Sequence, residues 1–170
     1  MRVVDFTYPF INSHLAIIMK KRHWSRANIR SLRDLARQSV IKYSVLDAGA
    51  TIDFFRSSTD PDYERMLLVM RQNANKTFVS STQEGVNRVL QSTDETPWAH
   101  IEQSMTLRYF AGQMCDLEVI EDTDVARGYA LALPLGSDYY YRLRICMVMM
   151  IERGQMNSLR RKWWPETGCD

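Results

Sequence analysis

Apolar residues recur along this chain with a period of two in some stretches and of about 3.6 in the stretches between them. That order fits a mixed α/β protein and excludes an all-helical bundle or an all-strand sandwich. Read from the start, "LAIIMKK" is a strand, Ser31 caps a helix through "LRDLARQ", and "IKYSVL" is a strand again. A helix opens near Ala50 and runs to about Arg56. "DYERMLLVMRQN" is amphipathic, with Tyr63, Met66, Leu67 and Met70 on one stripe. "TFVS" is a short strand, and Ser81-Thr82-Gln83-Glu84 is a capping box opening the helix "GVNRVLQ". "WAHIEQ" is a strand, "SMTLRYFAGQ" a helix, and "DLEVI" and "GYALALP" are two further strands. A long helix spans about 137–153, Gly154 stops it, and a shorter helix runs into Trp163 and Trp164.

The junction "VLDAGATIDFF", Val45 to Phe55, carries a chemical suggestion. A β-branched strand ends in small residues and a helix opens at once on a threonine. Bare N–H groups and the positive dipole end at such a helix start suit a carboxylate or phosphate, and Thr51 adds a hydroxyl donor. The plainer reading is that Thr51 is only an N-cap.

Bulk properties narrow the partners. The chain has 170 residues, 45% of them hydrophobic, enough for one sizeable core or two small lobes. With 22 basic against 20 acidic residues no global field demands nucleic acid. The local run Lys20, Lys21, Arg22, Arg26, Arg30, Arg33 and Arg37 and the closing "RRKWW" could touch RNA or lipid head groups, but such runs are more often solvated faces. The most apolar window, "ICMVMMI", is far short of a membrane span, and "MRVVDFTYPF" lacks the apolar core of a signal peptide. Cys115, Cys146 and Cys169 show no metal spacing; Cys146, inside the Met-rich stretch, reads as a buried thiol, while Cys115 and Cys169 stand beside polar segment ends. One bridge in an extracellular chain and three thiols in a cytosolic one fit equally well. The sequon Asn75-Lys76-Thr77 leans toward secretion. His14, His23 and His100 share no helical face, and no nucleophile elbow, zinc helix, phosphate loop or dinucleotide fingerprint occurs. An enzyme reading has nothing to stand on; binding is the better class.

The segments "RVVDFTYPF", "SLRDLARQ", "LDAGATIDFFRSS", "TQEGVNRVL", "CDLEVIEDTDVARGYALALPLGS" and "IERGQMNSLRRKWW", with a closing cysteine, occur in that order. Together they resemble the ligand-binding domain of an ionotropic glutamate receptor, over nearly the whole chain. The resemblance implies a two-lobed clamshell of the periplasmic-binding-protein type (type II), of which this chain holds mainly the second lobe. Residues 14–22 and 30–127 fall in that lobe, 1–13 and 131–170 in parts of the first, and 23–29 at the junction where the family carries its pore. It implies a domain facing the outside of the cell membrane, postsynaptic in the family, that closes on glutamate or an analogue to gate a cation channel. It also implies assembly with other subunits, as tetramers, membrane attachment through pore helices absent from this chain, and no cofactor or metal. The alternative is a receptor-like interaction or decoy protein that binds no amino acid.

Site residues carry over one at a time. In the family the turn before the "FF" helix holds the ligand's side-chain carboxylate; Thr51 matches, and Ala50 stands where a serine is common. Thr82 matches a cleft-facing threonine that latches the lobes, and Tyr129 a cleft tyrosine at the hinge. Counting back from Cys115, the acidic residue that holds the α-ammonium falls on Gln103, with Glu102 next door. Adjacent strand residues face opposite ways, so Glu102 serves only if a bulge intervenes. The arginine that grips the α-carboxylate is expected two places before Arg2. The family also implies a Cys115–Cys169 disulfide, and the sequon places a glycan on Asn75.

Overall fold

A computed structural model describes residues 3–22 and 28–164. A five-stranded sheet forms its centre, in the order β4-β3-β5-β2-β6. These strands are β2 (Ile11–Lys20), β3 (Lys42–Leu46), β4 (Phe78–Val79), β5 (Trp98–Gln103) and β6 (Leu117–Tyr129). A separate two-stranded antiparallel pair joins β1 (Val4–Phe6) to β7 (Ala132–Pro134), with Asp5 opposite Leu133.

Helices cover both faces of the large sheet, and strand alternation decides which residues meet them. One face gathers Leu15, Ile17 and Met19 from β2, Tyr43 and Val45 from β3, and Ala99 and Ile101 from β5. It packs against α1 (Leu32–Ala36), α2 (Ala50–Ser57) and α3 (Pro61–Gln72). The stripe expected for α3 is the one it buries: Tyr63, Met66, Leu67 and Met70. The other face holds Ala16 and Ile18 under Val86 and Val89 of α5 (Thr82–Leu90) and Leu107 of α6 (Ser104–Ala111). The short α4 (Ala74–Thr77) leads from α3 into β4.

Local chemistry sets the helix starts. Ser31 Oγ accepts from the Asp34 amide, and Ser81 Oγ from the Glu84 amide. The return bond of the expected capping box is displaced by one residue, because Glu84 Oε2 accepts from both the amide and the hydroxyl of Ser80. Those two bonds, set against burial and reinforced by Arg88, hold the Glu84 carboxyl below its ordinary range.

Two expectations need correction. The strand expected at "DLEVI" runs on to Tyr129 and takes in the start of "GYALALP", leaving only Ala132–Pro134 as the second strand; β6 continues through Asp122–Arg127 as the partner of β2. The polar residues lie at a register shift between His14 and Leu15, where the ladder absorbs extra β6 residues. Cys146 is exposed, not buried. Only Met147 is buried on α7 (Tyr140–Glu152), while Ile145, Val148 and Met149 stay open to solvent. Gly154 then takes a left-handed φ of 70°, and α8 (Gln155–Trp163) follows.

Candidate functional site

Strands β3, β4 and β5 run parallel, so their carboxyl ends share one edge of the sheet. From that edge the chain turns three times into a helix: Leu46 leads to α2, Val79 to α5, and Gln103 directly to α6. Three positive dipole ends are thereby brought to one place, the region where open α/β sheets bind ligands.

At α2 the N-cap is Gly49, with φ 99° and no side-chain cap. That backbone angle is what requires glycine here, since a Cβ would meet nothing within 4 Å. The turn therefore opens onto free space, with no capping oxygen competing for the first amides. Ala50 is exposed; Thr51 is 5% exposed, and its hydroxyl has no hydrogen-bond partner among the described residues.

At the neighbouring helix starts, Thr82 Oγ1 donates to Glu102 Oε2 at 2.8 Å. Glu102 shares its strand face with His100, whose Nε2 lies 3.5 Å from the same oxygen. Gln103 lies one residue further, opposite Leu15, as the N-cap of α6. Alternation puts it on the face of Ala99 and Ile101, away from Thr82. The carboxylate that meets Thr82 is thus Glu102, with no bulge between β5 and β2.

Tyr129 lies beyond this edge. Leu15 pairs with both Gln103 and Asp122, and Tyr129 pairs with Ile11, four residues further out, roughly 13 Å at strand spacing. It is half-buried, and its carbonyl accepts from the Phe10 amide at 2.9 Å. The structure therefore draws Ala50, Thr51, Thr82 and Glu102 to one edge, with Gln103 at the strand end and Tyr129 past it.

A concavity of about 630 Å³ lies elsewhere, along α6 and β6, lined by His14, Arg108, Cys115, Glu121 and Trp164 among others; none of Ala50, Thr51, Thr82 or Glu102 lines it. There Arg108 Nε donates to Glu121 Oε1 at 2.6 Å. Burial pushes the Glu121 carboxyl up, but the Arg108 bond and charge outweigh it and hold the group below its usual range. Trp164 Nε1 donates to the Met105 carbonyl at 2.8 Å, fastening the end of α8 to α6. Cys115 is disulfide-bonded, and Cys169 lies outside the described residues, as do Arg2 and residues 23–27 of the expected junction. Asn75 is exposed on α4.

No family model matches the chain. Curated relatives do. It is 31% identical over 141 residues to glutamate receptor ionotropic, kainate 1, of Rattus norvegicus, covering 83% of this chain and 14% of the receptor. It is 33% identical over 166 residues to glutamate receptor ionotropic, kainate 5, of Mus musculus, covering 96% of this chain and 16% of that receptor. Its homologues are kainate-type ionotropic glutamate receptors. Among solved structures, the Drosophila muscle GluRIIB complex with glutamate superimposes with a TM-score of 0.82 at 29% identity, covering 96% of this chain and 62% of that one. The fold is thus that of the glutamate-receptor ligand-binding domain, a type II clamshell, and the relatives are receptor channels, not enzymes. The chain spans 14–16% of the length of these two receptors. Among the described residues no helix is long and apolar enough to cross a membrane.

The sequence places Gln103 at the position expected to hold an ammonium group, with Glu102 only through a bulge, and considers His100 only in setting a zinc site aside. The alternation of "WAHIEQ", with Ala99 and Ile101 inward, carried the signal for Glu102 and His100.

Proposed function

We propose that this chain is the glutamate-binding part of an ionotropic-receptor-type ligand-binding domain, and that it holds an amino acid across the edge where α2, α5 and α6 begin. The observation that carries the reading is the pairing of opposite requirements on one edge. The uncapped start of α2, with the Ala50 and Thr51 amides and the Thr51 hydroxyl, suits a carboxylate. The Glu102 carboxylate, near the end of the neighbouring strand β5, suits an ammonium group. A zwitterionic amino acid with a second carboxylate presents both. In this reading Glu102 replaces Gln103 as the ammonium acceptor, Thr82 positions it, and Tyr129 stands where the large sheet passes toward the β1–β7 pair. That pair and α7–α8 are the first-lobe portion, and residues 14–22 with 30–127 the second lobe. The domain faces the outside of the cell, assembles with other subunits, carries a glycan on Asn75, and gates a channel in the complete receptor. The exposed Asn75 side chain and a bonded Cys115 support that placement.

The test is an NMR titration of the 170-residue chain with glutamate. One face of a clamshell meets the ligand in open water, so the affinity should be no better than about millimolar. The Ala50, Thr51 and Thr82 amides should shift together, and Glu102→Gln should weaken binding roughly ten- to a hundredfold, the worth of a charge-assisted bond. Unmoved amides at high glutamate would reject the reading and favour an interaction role instead.

A further inference from the structure

His100 is wholly buried in β5, and its Nε2 is a buried side-chain nitrogen with no hydrogen-bond partner among the described residues. Buried polar atoms of this kind are uncommon enough to require a reason. Two neighbours supply one. Nδ1 lies 3.0 Å from Ser44 Oγ, and Nε2 lies 3.5 Å from Glu102 Oε2. Of the two neutral tautomers, the one with its proton on Nε2 sets an N–H against the carboxylate oxygen, whereas the other sets two lone pairs against each other. Nδ1 is then left to accept from the Ser44 hydroxyl, a shorter contact than the 3.4 Å from Ser44 Oγ to the Ala99 carbonyl. The ring has room only because Gly85 of α5 lies against it; a Cβ there would fall 2.5 Å from Cε1.

Glu102 itself is approached from one side: among the described residues Thr82 and His100 both meet Oε2, and none reaches Oε1. We propose that His100 is a positioning residue: with its Nε2 proton aimed at Oε2, and with Thr82 on the same oxygen, it fixes the Glu102 carboxylate so that Oε1 is left for the ammonium group of an amino-acid ligand. Ser44 sets the tautomer, and Gly85 provides the space. The consequence is specificity. His100 sharpens the choice of an amine-bearing diacid over the same diacid without the amine. The inference rests on the proposed function for its ligand, but the state of the ring does not.

Two measurements on the 170-residue chain test it. The first is nitrogen-15 NMR of the histidine rings at mildly alkaline pH, without ligand. The expected result is an His100 ring protonated at Nε2 and moved toward the other tautomer by Ser44→Ala. A proton on Nδ1 alone would overturn the proposal. The second compares glutamate with glutarate in the parent chain, His100→Leu and His100→Gln. Leucine should weaken glutamate about five- to tenfold while shifting glutarate less than about twofold, and glutamine, which restores an N–H donor, should recover most of the loss. Equal losses for both ligands, or no recovery with glutamine, would show a merely structural ring and refute positioning. Should glutamate fail to bind the parent chain, the functional reading falls, while the tautomer still decides whether His100 holds this carboxylate.

Discussion

Gly85→Ala is the substitution through which the packing of this site is most directly read. Gly85 is buried in α5, and an added Cβ would sit 2.5 Å from His100 Cε1 and 2.7 Å from Cγ. Neither partner can retreat cheaply. The ring is held from one side by Ser44 and faces Glu102 on the other. The helix is held by Val86 and Val89, both fully buried in the cluster with Ala16 and Ile18. Overpacking of this kind costs about 1–3 kcal/mol. Alanine recovers up to about 1 kcal/mol of helix propensity over glycine, leaving a net loss of up to about 2 kcal/mol. For a domain of this size that lowers Tm by up to roughly 8 °C. A double-mutant cycle separates the clash from the helix term. In a His100→Ala background the new methyl group enters vacated space, so Gly85→Ala should stabilise, by about 0.5–1 kcal/mol. The coupling between the two sites should then be about 2 kcal/mol, within the range found for residues in contact. Urea and thermal melts of the four proteins, followed by circular dichroism, measure it. If Gly85→Ala raises Tm in the parent, or if the two changes simply add, then the ring does not lie where its contacts with Ser44 and Glu102 require.

Burial pushes the Tyr43 phenol up to about 12, with Arg65 opposing. Its contribution to stability is therefore complete below the ordinary phenol value near 10 and lost as pH rises through about 12; alkaline melts should show this loss, and Tyr43→Phe should remove it. Cys115 should prove to be joined to Cys169, a closed loop worth about 4 kcal/mol on chain-entropy grounds. Mass spectrometry of unreduced peptides should find that pair, and alkylation without reductant should mark Cys146 alone; labelling of Cys115 under those conditions would contradict the pairing.

The periodicities that located the elements also located the core, because one residue pattern serves both purposes. The α3 stripe of Tyr63, Met66, Leu67 and Met70 is readable since burial on one helix face demands that spacing. Bounds at Trp98–Gln103 are readable because the apolar alternation ends where a helix pattern begins. The continuity of β6 was not readable. Its middle, "EDTDVARG", is polar, and it remains a strand only because β2 supplies a partner and Leu32 a use for Asp122, whose Oδ2 accepts from the Leu32 amide at 2.8 Å. Long-range bonds of that kind leave no periodic trace. The exposure of Cys146 has the same origin. An apolar helix predicts a covering layer, yet nothing within the described residues supplies one over Ile145 and Val148.

The candidate site shows where counting and physics diverge. A tally from Cys115 selects Gln103, because it assumes a fixed number of residues in α6 and the turn after it. Strand alternation counts only within β5, from Ala99 and Ile101, which are fully buried against the first core cluster. It puts His100 and Glu102 together on the opposite face, the face on which α5 begins with Thr82. Helix-and-turn lengths tolerate an inserted residue at the surface, whereas a one-residue slip in β5 would turn Ile101 out of the core and bring a charge in. The cost of that slip, two misplaced side chains, exceeds anything a surface turn exacts for an extra residue. The alternation therefore outranks the tally, and the carboxylate that Thr82 meets at 2.8 Å is the one it selects.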